Sequence, residues 1–320
     1  VYVNDFKFVR STVKIDNVSM IFNNCSFYKV ILEAYTLHTK FHILIFNNSK
    51  WFYGNIKVSN FSTVSFSNFS FGQKPGDVGE TSMVLLDITS SIFEDCTITV
   101  RSKVFMFMQN SEKIIINRIC MLKCVVQPTI LYLLNAGKVI IHQGNFSNII
   151  GTVIIAKGLS DLELENSTFK SCKSNYLGII FITLTDLKSR LNKSPLDKFN
   201  MGNPSRTKTV SISIKLCTFH LCICSNSMNA APISILTKRQ KVPYLVMMDT
   251  TCTLRIHKTI FSMNRNSLNG GSLSVIGLDK VIIDSCDFVE NKADRFGGAI
   301  YSKLNEQIYL CNTRSVTHYI

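Results

Sequence analysis

The chain has 320 residues, of which 46% are hydrophobic and 18% are charged, and its formal net charge is +14. This composition excludes an intrinsically disordered chain, because enough apolar surface is present to build a core. No apolar run reaches the roughly 18 residues that a membrane-spanning helix requires. Isoleucine, valine, phenylalanine and threonine dominate, and no stretch places apolar residues at helical spacing. The chain is therefore expected to be all-β.

Short apolar strands recur along the chain, and each is predicted to end in an inward-facing residue. Most intervals between these residues are about 25 residues long, which suits one turn of a three-sided β-coil. The flanking alternation, as in Val210-Ser-Ile-Ser-Ile214, has the period of two that is typical of strands. In chain order, the predicted strand-ending residues are Ile15, Ile45, Phe66, Ile88, Ile116, Ile141, Leu164, Ile214, Ile256, Ile283 and Leu310.

Two further interior positions follow each strand-ending residue. The first, usually phenylalanine or methionine, is predicted at Met20, Phe71, Phe93, Met121, Phe146, Phe169, Phe219, Phe261 and Phe288. The second, often asparagine or cysteine, is predicted at Asn23, Tyr53, Lys74, Cys96, Cys124, Ile149, Cys172, Cys222, Asn264 and Asn291. Another strand then begins after a small or turn residue, such as Pro128, Gly151 or Gly178.

These columns predict a right-handed, single-stranded parallel β-helix of about ten to eleven coils. Each coil adds strands to the coil beneath at a spacing of about 4.8 Å, so that like residues stack into interior ladders. Residues 1–320 are expected to form one solenoid and to be a fragment of a longer chain. Two intervals exceed one coil by about twenty residues, and they predict loop insertions near residues 185–209 and 237–251.

The last two complete coils repeat one pattern. Phe261-Ser-Met-Asn264 precedes Gly270-Gly271, and Phe288-Val-Glu-Asn291 precedes Gly297-Gly298-Ala-Ile300. The glycines are expected to serve tight backbone turns. These residues resemble the FxxN and GGAI repeat pair of the polymorphic membrane proteins, which are right-handed β-helix surface proteins. The resemblance implies a secreted or surface-displayed protein that is used in adhesion.

The chain has 11 cysteines, and their spacing lacks the paired arrangement of a zinc site, so no metal or other cofactor is predicted. Cys96 and Cys124 are predicted to occupy one position in adjacent coils, and so are Cys172 and Cys222. Stacking at about 4.8 Å lies within the Cα separation of about 4.4–6.8 Å that a disulfide tolerates. The alternative is a stack of reduced thiols that act as small apolar fillers.

The two insertions carry the most basic segments of the chain. Each follows a strand, at residues 180–184 and 233–236, so both are expected to leave from one corner of the solenoid. Insertions on one face of a solenoid often form its binding surface, and clustered cations attract a polyanion. The alternative is a pair of solvated excursions without a partner. The predicted basic patch comprises Lys188, Arg190, Lys193, Lys198, Arg206, Lys208, Lys238, Arg239 and Lys241.

An enzyme is the alternative to a binding protein, because parallel β-helices also act on polysaccharides. Such enzymes need clustered carboxylates, or a metal with a basic residue. Strand alternation places Asp161, Glu163 and Glu165 on one outward face, beside His142 of the preceding coil. This is one acidic strand and not a pair of carboxylates across coils. It is predicted to be a solvated polar face, and no catalytic residue is assigned.

Eight asparagines precede x-Ser or x-Thr and are candidate glycosylation sites in a secretory route. In Asn145-Phe146-Ser147 the phenylalanine is expected to point inward, which leaves the asparagine exposed. The candidate sites are Asn17, Asn24, Asn47, Asn60, Asn68, Asn145, Asn166 and Asn192.

The chain is therefore predicted to be a non-catalytic adhesin or ligand-presenting scaffold, located outside the cell or on its surface. Its expected partners are acidic glycans or another surface protein, and nucleic acid is not expected. The alternative function is a carbohydrate-active lyase or hydrolase.

Overall fold

The computed structural model describes residues 1–37, 42–72, 81–175, 177–184, 208–225, 231–237 and 250–316. These residues contain 37 strands and no helix. Neighbouring strands pair in parallel, each with the equivalent strand of the next coil. The predicted all-β parallel β-helix is therefore confirmed.

The strands follow one another closely along the chain. Those of the first part are β1 (Tyr2–Asn4), β2 (Lys7–Val9), β3 (Thr12–Asp16), β4 (Met20–Asn23), β5 (Ser26–Tyr35), β6 (Ile43–Asn47), β7 (Lys50–Ser59), β8 (Thr63–Ser67), β9 (Ser70–Gly72), β10 (Thr81–Leu86), β11 (Ser90–Glu94), β12 (Thr97–Ile98), β13 (Arg101–Gln109), β14 (Lys113–Asn117), β15 (Cys120–Leu122), β16 (Val125–Leu134), β17 (Lys138–His142) and β18 (Asn145–Ser147). Those of the second part are β19 (Ile150–Lys157), β20 (Asp161–Glu165), β21 (Thr168–Lys170), β22 (Lys173–Ser174), β23 (Ile180–Leu184), β24 (Lys208–Lys215), β25 (Thr218–His220), β26 (Ile223–Cys224), β27 (Ile233–Thr237), β28 (Thr250–His257), β29 (Ile260–Ser262), β30 (Arg265–Asn266), β31 (Leu273–Ile276), β32 (Lys280–Asp284), β33 (Asp287–Val289), β34 (Lys292–Ala293), β35 (Ile300–Lys303), β36 (Gln307–Cys311) and β37 (Arg314–Val316).

The first face of the solenoid is a sheet of 12 strands, one from each coil. Their order is β1, β4, β6, β8, β11, β14, β17, β20, β24, β28, β32 and β36. Side chains alternate between the interior and the outer surface, as in β20, where Leu162 and Leu164 are buried and the three acidic residues are partly exposed. The outward face of this sheet is consequently the polar one.

The other two faces belong to a second sheet. Short strands such as β18, β21, β25 and β29 form the second face, and longer strands such as β19, β23, β27 and β31 form most of the third. In β5, which is 10 residues long, the chain runs from the second face into the third without a break. Its first residues pair with β2 and its last with β3.

Stacked aromatic rings fill the interior along the axis. On the second face Phe146, Phe169, Phe219, Phe261 and Phe288 form a continuous ladder. Successive ring centroids are 4.5, 4.6, 5.2 and 4.7 Å apart, and the rings are inclined by 10° or less. This spacing matches the separation of paired strands, because each ring rests on its equivalent in the next coil. In the first coils the ladder of the first face is also aromatic, at Phe22, Phe46, Phe66 and Phe93.

Asparagine is frequent at the corner between the first and second faces for a conformational reason. Asn24, Asn48, Asn68 and Asn166 all have φ near +50°, in the left-handed region that few other side chains tolerate well. The residue after each of them points into the interior and is buried. The corner therefore turns the chain by one left-handed residue, and the next side chain enters the core.

The predicted register is correct for most of the chain and wrong near its beginning. Ile15 lies in β3 on the third face, and Ile88 lies at a corner after β10. Ile45 points outward beside the buried Phe46, and Phe93 is itself the inward residue that ends a first-face strand. The first face has 12 strands. In this region some strands, such as β6 (Ile43–Asn47), are apolar at outward as well as inward positions, so the alternation fits more than one register.

The phenylalanine ladder should contribute strongly to stability. Phe219 is fully buried between two stacked rings. We expect Phe219→Ala to lower the free energy of unfolding by about 3–5 kcal/mol, since it removes a large side chain and leaves a cavity. Urea denaturation followed by circular dichroism measures the loss. Ile260→Ala, at an exposed position of β29, is the control and should cost less than about 1 kcal/mol. Equal losses would contradict the ladder's role.

Candidate functional site

The two asparagines of the FxxN repeats hold successive coils together. The Oδ1 atom of Asn264 accepts a hydrogen bond from the Cys222 N–H at 2.9 Å, and its Nδ2 donates to the Phe219 carbonyl at 3.0 Å. Asn291 repeats this arrangement one coil later, with the Asn264 N–H at 3.1 Å and the Phe261 carbonyl at 2.9 Å. Both side chains are completely buried. Because each amide bonds backbone groups of the preceding coil, the repeat asparagines are structural.

The paired glycines of the GGAI-like segments lie in the same two coils and allow tight backbone turns there. Gly270 and Gly297 have φ of +72° and +63°, which an L-residue with a side chain adopts only with strain. A Cβ atom on Gly271 would collide with the Gly298 carbonyl oxygen of the next coil. The GGAI-like segments therefore allow two adjacent turns to pack backbone against backbone, and they contain no phosphate-binding loop.

Thiols and hydroxyls share one interior position at the corner between the first and second faces. The Cys217 thiol donates to the Lys215 carbonyl at 3.1 Å, and the Thr259 hydroxyl of the next coil donates to the His257 carbonyl at the same distance. Cys286 follows in the same column. Burial raises the pKa of Cys217 to about 12. These cysteines are expected to be neutral structural donors.

The second corner contains the other cysteine column, and here the sequence prediction is partly confirmed. Cys172 and Cys222 lie in adjacent coils at one position, and their thiols donate to the carbonyls of Phe146 and Phe169. A hydrogen bond with the Cys172 thiol, together with burial, raises the pKa of Cys222. All 11 cysteines are reduced in this structure. A disulfide between Cys172 and Cys222 stays a prediction for oxidising conditions.

The predicted pairing of Cys96 with Cys124 is wrong in register. Cys96 belongs to the first corner, where Ile119 is its neighbour in the next coil. Cys124 belongs to the second corner, where Val100 is its neighbour in the preceding coil. The reason is the misassigned Phe93. Because that residue ends a first-face strand, the three residues that follow it reach only the first corner.

The two insertions leave and rejoin the solenoid side by side. Leu184 at the end of β23 pairs with Thr237 at the end of β27, and Lys208 at the start of β24 pairs with Thr250 at the start of β28. Of the predicted basic patch, Lys208 is the first residue of a strand. The other members, Lys188, Arg190, Lys193, Lys198, Arg206, Lys238, Arg239 and Lys241, lie outside the described residues.

The outward polar face contains one cluster of convergent donor groups. His142 of β17 lies beside Glu165 of β20 in the register, and its Nε2 atom is 3.5 Å from Glu165 Oε2 and 3.9 Å from Glu163 Oε1. Lys138 Nζ is 3.8 Å from the other oxygen of Glu163. In the described ranges this is the one group of three histidine, cysteine or acidic residues whose ligand atoms could hold a metal ion. The sequence placed these residues on one face without showing that their donor atoms converge.

The candidate glycosylation sites fall largely at corners. Asn17, Asn24, Asn60, Asn68 and Asn166 all have positive φ. In addition, Asn145 is exposed beside the buried Phe146, whereas the Asn47 side chain donates to Asn23. Asn192 lies outside the described residues.

Comparison with known proteins gives no relative: no protein-family model, curated protein or solved structure matches the chain. In the part of the chain that the structure describes, no helix is long and apolar enough to cross a membrane.

The asparagine bonds between coils can be tested by substitution. Asn264→Leu removes the side-chain acceptor of the buried Cys222 N–H and one donor to the Phe219 carbonyl. An unsatisfied buried group costs about 1–3 kcal/mol. Asn264→Cys is the matched control, because Cys222 itself donates to the preceding coil from this column. We expect urea denaturation to show a clearly larger loss for leucine than for cysteine. Equal losses would show that shape, and not hydrogen bonding, selects asparagine here.

Thiol accessibility should follow burial. Nine cysteines are buried, Cys120 is half-buried and Cys311 is exposed. Because burial raises the pKa of Cys96, Cys224 and Cys252 to about 12, little thiolate forms at pH 8. We expect a thiol reagent to label Cys311 first, Cys120 more slowly, and the other nine only in denaturant. Mass spectrometry after timed quenching identifies each site. Early labelling of Cys217 or Cys222 would contradict this order.

Proposed function

We propose that this protein is a non-catalytic β-helix scaffold whose two insertions form one binding surface for an acidic glycan outside the cell. The observation that carries the proposal is the adjacency of their attachment points. The exits at Leu184 and Thr237 are paired neighbours, and so are the returns at Lys208 and Thr250. Paired strands lie about 4.8 Å apart. The two segments are therefore attached at adjacent points of the solenoid at both ends.

The charge of the insertions supports a polyanionic partner. Residues 185–207 contain five basic and two acidic residues, and residues 238–249 contain three basic residues and one acidic residue. Cations brought together at one corner of the solenoid focus positive potential toward a polyanion. Ladders of buried side chains fill the interior of the described coils, so the binding surface is proposed on the outside.

Two features of the sequence support display at the cell surface. The segment from Phe261 to Ile300 resembles the FxxN and GGAI repeats of polymorphic membrane proteins, which implies an adhesin. Asn145 of a glycosylation sequon is exposed on β18. A secreted or surface location and glycosylation are therefore part of the proposal.

Reversal of charge in one insertion tests the binding surface. We expect Lys238→Glu, Arg239→Glu and Lys241→Glu together to abolish retention on immobilised heparin at moderate salt, because three of the nine basic residues of the patch then repel the polyanion. The elution salt concentration is the measurement. The matched control reverses Lys14, Lys57 and Lys113, three exposed lysines of β3, β7 and β14. It changes the net charge equally and should elute only slightly earlier.

Equal loss of retention in both variants would mean that total charge drives binding and would overturn the proposed surface. The competing function, a carbohydrate-active lyase or hydrolase, is tested by incubating the protein with acidic polysaccharides. If the wild-type protein depolymerises one of them and the Glu163→Gln variant does not, the protein is an enzyme and the scaffold proposal is wrong.

A further inference from the structure

We propose that His142, Glu163 and Glu165 bind one divalent transition-metal ion, with Zn²⁺ as the preferred ion. The three side chains project from the outward face of neighbouring strands β17 and β20. They supply one imidazole nitrogen and two carboxylates, a donor set that suits zinc and related borderline metals. The proposed site uses described residues alone, and its existence does not depend on the proposed glycan binding.

The distances between the donor atoms fit such an ion. Zinc binds histidine nitrogen and carboxylate oxygen at about 2.0–2.2 Å, and tetrahedral geometry then separates the ligand atoms by about 3.3–3.6 Å. The His142 Nε2 atom is 3.5 Å from Glu165 Oε2 and 3.9 Å from Glu163 Oε1. All three ligand atoms lie within 4.8 Å of one another. Small torsional changes of the two glutamates therefore bring the set to coordination distance.

The surroundings of the His142 Nε2 atom also point to a ligand. The atom itself is shielded from solvent and forms no hydrogen bond, although the side chain is 38% exposed and carboxylate oxygens lie 3.5 and 3.9 Å away. A metal ion between the nitrogen and the two carboxylates would give this nitrogen a ligand bond. By contrast, His257 on the same sheet forms a 2.9 Å contact through Nδ1 with the single carboxylate of Asp284. That pair needs no ion.

The backbone and the local charge support the same conclusion. Both ligand strands belong to the continuous first sheet, where Arg118 N–H donates to the His142 carbonyl and Gln143 N–H to the Glu165 carbonyl. Asp161, Glu163 and Glu165 place three negative charges on one strand face, and Lys138 approaches only Glu163. The three ligand side chains are 29–38% exposed, so ions can enter and water can occupy the fourth position.

Calorimetric titration of the full chain with Zn²⁺ tests the site, in a buffer that does not bind the metal. We expect saturable binding with one ion at this site. His142→Gln, Glu163→Gln and Glu165→Gln should each weaken the binding at least about tenfold, since even loss of an outer partner of a ligand has that effect. Asp161→Asn is the matched control on the same strand and should stay within about twofold. Lys138→Gln removes the cation that competes for Glu163 and should strengthen binding.

Cysteine thiolates can also bind zinc. The absorption spectrum of bound Co²⁺ distinguishes thiolate from nitrogen and oxygen ligands and provides a second measurement. Co²⁺ at the proposed site should show no thiolate charge-transfer band, and the three ligand variants should lose the remaining spectrum. Their unchanged circular dichroism would establish that they fold. The proposal is overturned if no saturable binding occurs, if the bound Co²⁺ shows thiolate ligation, or if Asp161→Asn weakens binding as much as Glu163→Gln does.

Discussion

Many coils of this protein are joined to the coil before by hydrogen bonds from inward corner side chains to backbone carbonyl groups. In a parallel solenoid the strands satisfy their own polar groups by pairing, but the corners turn the chain away from that ladder. Buried N–H groups there must find acceptors inside the protein. Asn264 and Asn291 accept from two such groups, the N–H of Cys222 and the N–H of Asn264. The same amides and the thiols of Cys172 and Cys222 also donate to strand carbonyls of the coil before. The rest of the structure, including the outward faces, is positioned by this stacking.

The same requirement explains the unusual composition. Cysteine, serine, threonine and asparagine are small side chains that can donate from a corner. The first-corner column holds cysteine, serine and threonine, and the second-corner column holds cysteine and asparagine. Asparagine is also favoured just before the first corner because it tolerates positive φ. At these corners an asparagine is followed by an inward residue and then by the serine or threonine that begins the next strand. This order of residues is a glycosylation sequon, as at Asn24, Asn68 and Asn166. These sequons therefore have a structural cause that is independent of any glycan.

The sequence predicted the fold where its repeats are regular. From Ile116 onward the strand-ending residues, the phenylalanine ladder and the second-corner column are correct, because Phe and Asn or Cys recur at fixed offsets. Before that, apolar strands such as β5 and β7 suit several registers, so Ile15 and Phe93 were misassigned. The convergence of His142 with Glu163 and Glu165 was not predicted. Metal-binding motifs are recognised by spacing along one chain segment, whereas these ligands are brought together across coils.

The asparagine bonds that join one coil to its predecessor also bear on how such a protein can change in evolution. Asn291 forms hydrogen bonds with the coil of Asn264, and Asn264 with the coil of Cys222, so each of these contacts joins only two adjacent coils. Duplication or loss of one entire coil preserves every such contact. An insertion or deletion of one or two residues within a coil disrupts the contacts of that coil with its neighbours. Lineages of this protein should therefore differ in length by complete coils, with other insertions confined to the loops.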